Sequence, residues 1–148
     1  MFRKLALVAV PFIWFGTVLA ISFVEAPLKF QAPGVTIPLG LGIGRLVFFA
    51  LNKIELVLAA VFLLSLFGNR SVGKAATTVF ATIALILCVE TFWLLPVLDA
   101  RAEEVINGTA EPLSRTHFIY IALDAVKLIL LFTLGIVVTK RQLAAARP

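Results

Sequence analysis

RTHFIYIALDAVKLILLFTLGIVVTK, residues 115–140, is apolar for long enough to cross a bilayer, yet it carries Asp124 and Lys127 in its interior. At 100° per residue His117, Tyr120, Asp124 and Lys127 fall on one stripe, continued by Leu131 and Gly135, so a polar ridge runs down one face of a single helix. A charge near a bilayer centre costs roughly 2.5–3.5 kcal/mol on insertion scales. The ridge therefore faces other protein, and the stretch is one helix of a bundle rather than a lone anchor.

The rest of the chain repeats the pattern. Hydrophobic residues make up 61% and charged residues 14% of 148, with mean hydropathy +1.09, far from a soluble domain. About 20 apolar residues span the hydrocarbon. Four stretches reach that length, at about 5–24, 46–67, 76–98 and 118–139, leaving room for one membrane domain over 1–148. The expected fold is all-α: an integral membrane antiparallel four-helix bundle with an irregular Pro/Gly-rich outer loop.

The formal charge of +5 is not spread as a nucleic-acid surface would spread it. Arg3, Lys4, Arg70, Lys74, Lys140, Arg141 and Arg147 lie in the N-terminus, the second connection or the C-terminus, where no acidic residue occurs. Four spans bring those three segments to one side. The positive-inside rule makes that side cytoplasmic, giving an N-in/C-in protein of a bacterial inner or plasma membrane. Arg3 and Lys4 would also begin a cleaved signal peptide, but the stretch that follows contains Pro11 and Trp14 and offers poor cleavage sites, so it is read as a retained span. Cys88, the single cysteine, excludes an intramolecular disulfide and a multi-cysteine metal site.

The first outer connection, EAPLKFQAPGVTIPLGLGIGR (25–45), contains Pro27, Pro33 and Pro38 and is expected to break helix. Leu28, Phe30, Val35 and Ile37 make it apolar enough to rest at the interface or fold back over the bundle, with Lys29 and Gln31 reaching headgroups. Gly40 and Gly44 form a small-xxx-small pair that permits close helix approach. The second connection, GNRSVGK (68–74), is short, so spans 2 and 3 are neighbours; it does not fit a phosphate loop. The third, DARAEEVINGTAEPLSRTH (99–117), has room for a short surface helix near 100–106, and its acidic side chains form either a cation-gathering mouth or a solvated face.

Glu55 on span 2, Glu90 on span 3, and Asp124 and Lys127 on span 4 lie 12 to 15 residues from the cytoplasmic ends. At a rise of about 1.5 Å per residue they share one layer near the midplane, with Lys53 slightly higher. Glu90 is placed on a face with Thr82 and Trp93, and Lys53 and Glu55 flank the Arg45–Asn52 line. A second, outer tier comprises Glu25, Arg45, Asp99, His117 and Tyr120. Three carboxylates against Lys53 and Lys127 leave one negative charge, to be met by a shared proton, a bound cation or Arg45. The alternative is a set of permanent pairs that fix helix register: Glu90–Lys127 with Asp124–Lys53 or Glu55–Arg45.

The segments WFGTVLAISFVEAPLKF (14–30), WLLPVLDAR (93–101) and RTHFIYIALDAVKL (115–128) resemble the four-span transmembrane protein 205 family, across most of the chain. The resemblance implies a small integral membrane protein with a role in resistance or export, and no catalytic residues. The charges of span 2 and the Pro/Gly-rich first connection depart from that pattern. Three functions are in play. One is a proton- or cation-linked transporter, homo-oligomeric, working through Lys53, Glu55, Glu90, Asp124 and Lys127. Another is a structural or accessory subunit of a larger membrane complex. The third is a membrane enzyme acting on a lipid or quinone. No catalytic residue, cofactor or metal ligand set stands out, although Asp124, His117 and Glu25 are the residues a metal would use.

Overall fold

The structure, a computed structural model, describes residues 2–67, 72–111 and 114–145. Four helices, each long and apolar enough to cross a membrane, account for nearly all of them: α1 (Phe2–Gln31), α2 (Ile37–Leu66), α3 (Gly73–Ile106) and α4 (Arg115–Ala144). No strand occurs among the described residues. Most of the second connection, residues 68–71 with Arg70, and Arg147 of the basic set lie outside them.

Two helix starts follow from local chemistry. Thr36 has extended backbone and its hydroxyl accepts from the amide of Leu39 at 3.4 Å, while Pro38 occupies the first turn, where no amide donor is needed. Ser114 caps α4 in the same way, accepting from the amide of His117 at 3.2 Å.

The spans run further than their hydropathy suggests, and prolines explain how. Within α1 a π-helical turn spans Leu19–Glu25, and within α3 another spans Glu90–Leu94. Each ends two residues before a proline, Pro27 and Pro96. A proline ring inside an α-helix clashes with the carbonyl four residues back and supplies no amide; widening the preceding turn relieves both problems and keeps the helix continuous. The amides of Ala26 and Leu95 accordingly donate to the carbonyls of Ile21 and Glu90, five residues back. The expected irregular outer loop is thus mostly helical: α1 continues through Ala26–Leu28 and a 3-10 turn at Lys29–Gln31, and α2 begins at Ile37. Only residues 32–36 separate them. The expected surface helix near 100–106 is the end of α3, not a separate element.

Helix α1 packs on α4 and α2, and α4 on α3. Leu7, Val10, Trp14 and Val18 meet Leu51 and Phe62 of α2, Ile83 and Leu87 of α3, and Leu131, Leu134 and Val138 of α4 in the main core. Gly135 gives α1 its close approach to α4, since a Cβ there would lie 2.6 Å from the Phe12 ring. Leu94, Leu95 and Tyr120 form a smaller cluster toward the end that carries Arg45 and Asp99. The surface is the reverse of a soluble protein's. Phe92 is 79% exposed, Leu46 75% and Ile129 68%, whereas Glu90, Asp124 and Lys127 are wholly buried. Such a distribution is consistent with an integral membrane protein.

Candidate functional site: a buried lysine among three carboxylates

Lys127 is the centre of the site. Its ammonium donates to Glu90 Oε2 and lies 2.8 Å from Glu55 Oε1 and 2.8 Å from Asp124 Oδ1. Three helices thereby meet at one nitrogen. The fourth joins through Trp14, whose indole N–H donates to Glu55 Oε1 at 2.7 Å. All of these side chains are buried, none more than 1% exposed.

Each position follows from its helix. Asp124 and Lys127 are three apart on α4 and share its inward stripe with Tyr120 and Leu131, as the sequence spacing requires. Glu55 lies on the face of α2 that buries Leu51, Asn52 and Phe62. Glu90 continues the buried series Ile83, Leu87 of α3 and is the first residue of the π turn. Asn52 ties α2 to α3 as well, its amide donating to the Thr91 hydroxyl at 2.8 Å.

Not every oxygen is satisfied. Asp124 Oδ1 approaches Lys127 closely enough for an ion pair but at an angle that makes no hydrogen bond. Asp124 Oδ2 and Glu90 Oε1 have no hydrogen-bond partner either. Buried carboxylate oxygens without donors cost free energy. One ammonium facing three carboxylates leaves a formal charge of −2 if all are ionised, which gives the cluster an electrostatic reason to take up a proton or a cation.

Several expected placements are corrected. Lys53 is not in the cluster: it is exposed, off the buried stripe of α2, and makes no ion pair with Asp124. Two steps of 100° along the helix set its side chain about 200° from that of Glu55. The expected excess of one negative charge is therefore two. Arg45 does not reach Glu55; it makes a two-pronged contact with Asp99, Nη2 to Oδ2 at 3.1 Å, and lies 3.6 Å from Glu103. Thr82 and Trp93 do not share the face of Glu90, being exposed while Glu90 is buried. Thr82 satisfies its hydroxyl on the carbonyl of Thr78, and the apolar stripe through Ile83 and Leu87 sets the inward face instead. Lys29 turns inward to Glu25 at 3.3 Å and sits 5.7 Å from the rings of Phe30 and Phe48, not among headgroups. The Glu90–Lys127 pair is found as expected.

Most of the outer tier lines a half-open cavity of about 410 Å³ between the ends of all four helices on the Arg45 side. Arg45, Asp99, His117 and Tyr120 border it, and Asp124 is part of its wall next to the cluster. Glu25 stands beside it through Lys29, which is a wall residue. The rest of the wall is mostly apolar, with Phe48 packed edge-on against Tyr120 at 5.6 Å between centroids. Gly40 and Gly44 close the cavity: a Cβ at Gly40 would run into the Phe30 ring, and one at Gly44 would lie 3.1 Å from Lys29 Nζ. The small-xxx-small pair thus receives the end of α1. Glu25, His117 and Asp124 do not assemble a metal site; no group of three ligating side chains among the described residues is placed to hold an ion.

Trp14 and Asn52 are the functional neighbours that charge-based reading passes over. Trp14 had a usable signal: an indole near the middle of a span, away from the interfacial belts, must find an acceptor inside the bundle. Comparison with family models, curated proteins and solved structures yields no match to this chain.

Proposed function

We propose that the chain is an antiparallel, N-in/C-in four-helix integral membrane protein of a bacterial inner or plasma membrane, and that it moves a proton or small cation through the Glu55–Glu90–Asp124–Lys127 cluster. The observation that carries this reading is the meeting of three carboxylates at one ammonium beneath a cavity, with Asp124 in contact with both. A group that exchanges a proton or cation must lie between a route of access and a compensating charge, and Asp124 is part of the cavity wall and pairs with Lys127. Lys127 tunes the site by offering a counter-charge that each carboxylate competes for. The resemblance to the transmembrane protein 205 family, with its implied role in export, points the same way.

The test is flux in liposomes containing a pH-sensitive dye, under an imposed pH gradient or potassium diffusion potential. Wild-type protein is expected to carry a gradient-driven flux that Glu90→Gln and Asp124→Asn each abolish, while both variants retain a monodisperse elution profile in detergent. No flux from the wild type would reject the transport reading.

A second reading has its own support. Lys127 ties α2, α3 and α4 together, and Trp14 adds α1, which is what a register-fixing polar core of an accessory subunit would do. A stoichiometric partner retained on purification from native membranes in mild detergent, with no flux from the isolated chain, would favour it; a homo-oligomer alone would favour transport.

A further inference from the structure

We infer that the cavity is a binding site for a small lipophilic organic cation, an amine or quaternary cation carried on an apolar aromatic or aliphatic body. This deepens the transport reading by giving its substrate class, and it rests on that reading only for the direction of movement. The volume, about 410 Å³, lies within the range of drug-sized ligand sites. The walls are apolar and carry aromatic rings, Phe48 and Tyr120 among them, suited to an apolar body and to cation–π contact with its charge.

The charge preference comes from how the polar wall residues are paired. Lys29, Arg45 and Arg101 border the cavity, which at first favours an anion. Each is already engaged: Lys29 with Glu25, Arg45 with Asp99 and Glu103, Arg101 with Glu104 at 3.1 Å. Three cations thus stand against four carboxylates at the rim. Deeper in, Glu55, Glu90 and Asp124 stand against Lys127 alone. The three rim cations are thus paired, and the excess negative charge lies at the cluster beneath the cavity.

The second, independent observation is an unsatisfied acceptor. Asp124 is wholly buried, is part of the cavity wall, and its Oδ2 has no hydrogen-bond partner. Ser22, also in the wall, has a hydroxyl without a partner. An ammonium or a polarised quaternary cation against Asp124 supplies the positive charge the cluster lacks, and a protonated amine also supplies the missing donor. A neutral ligand offers neither, and an anion adds to the negative field. Tyr120, one turn from Asp124 and packed on Phe48, is part of the same wall.

Tetraphenylphosphonium and tetraphenylborate share size and shape and differ in the sign of their charge, which makes them the probes. Binding is measured by calorimetry on detergent-solubilised protein. Saturable binding of the cation and no competition from the anion are expected. Asp124→Asn should weaken the cation about tenfold or more, a change of about 1.4 kcal/mol. Ala102→Trp, which fills the cavity from α3 without touching the cluster, should abolish binding while elution and helicity stay unchanged. That variant keeps the test decisive should Asp124→Asn fail to fold. Equal binding of the borate, undiminished binding by Ala102→Trp, or no binding of the cation by the wild type overturns the inference. Its failure is separable from that of the transport reading: proton flux without phosphonium binding removes only the substrate class, and phosphonium binding without flux removes only the transport.

Discussion

At the scale of single residues, Lys127 and Lys53 are opposites in one protein. Among the described residues Lys127 is the sole counter-charge to three buried carboxylates, so Lys127→Met leaves them facing one another. Removing one partner from a buried ion pair costs about 3–5 kcal/mol. The expected outcome is a drop of that size in unfolding free energy in detergent, partly recovered in the double variant Lys127→Met, Glu90→Gln. Lys53 lies on the exposed face of α2 with no ion pair among the described residues. Lys53→Leu removes a charge that lipid penalises by roughly 2.5–3.5 kcal/mol when central, so thermal stability should hold or rise and flux should be unaffected. A loss of stability would return Lys53 to the cluster. Trp14→Phe keeps an aromatic ring of smaller size and deletes the donor to Glu55, and the loss of that donor alone should lower unfolding free energy in detergent by about 1–3 kcal/mol.

Elements show where sequence reasoning reaches and where it stops. The four spans were legible because lipid demands about 20 apolar residues in a row. The α4 ridge was legible because α4 is regular from Arg115 to Ala144, so 100° per residue holds throughout. Composition misleads at the prolines. Pro27 reads as a break, and Pro96 lies inside the third expected span; both sit just after π turns that let α1 and α3 continue. Glu90 opens one such turn, and its face is set by the apolar series at Ile83 and Leu87, not by polar Thr82 or aromatic Trp93. The lysines were hardest to place, because a long flexible stem carries its charge several ångströms from the backbone and spacing does not say which way. Lys29 folds inward over Gly44, where headgroup contact was expected. Gly40→Leu tests that docking: its side chain collides with the Phe30 ring, so the end of α1 should lift and residues 32–36 should become cleavable by added protease, with the Lys127 cluster intact.

For the whole molecule, the polar contacts fall into three levels. Arg3 reaches the Phe67 carbonyl at 3.0 Å at one end, Lys127 holds the middle, and Arg45 joins Asp99 at the other. Helical rise permits these levels to lie on the two faces and in the centre of one bilayer, which the proposed topology requires. The molecule has a convenient background for a test, since Cys88 is its only cysteine and can be replaced by serine. Single cysteines introduced at Phe2, Asn107 and Ala145 then report on the first helix, the α3 end and the last helix. In intact cells an impermeant maleimide should label Asn107→Cys alone, and it should reach Phe2→Cys and Ala145→Cys only after the membrane is opened. Asn107 lies in the turn at Gly108, where φ is 73°, so the substituted thiol is exposed without disturbing packing. Labelling of Phe2→Cys and Asn107→Cys from the same side would refute the four-span topology. With it would fall the assignment of the cavity to the outer face, because the cavity and residue 107 lie at the same end of α3.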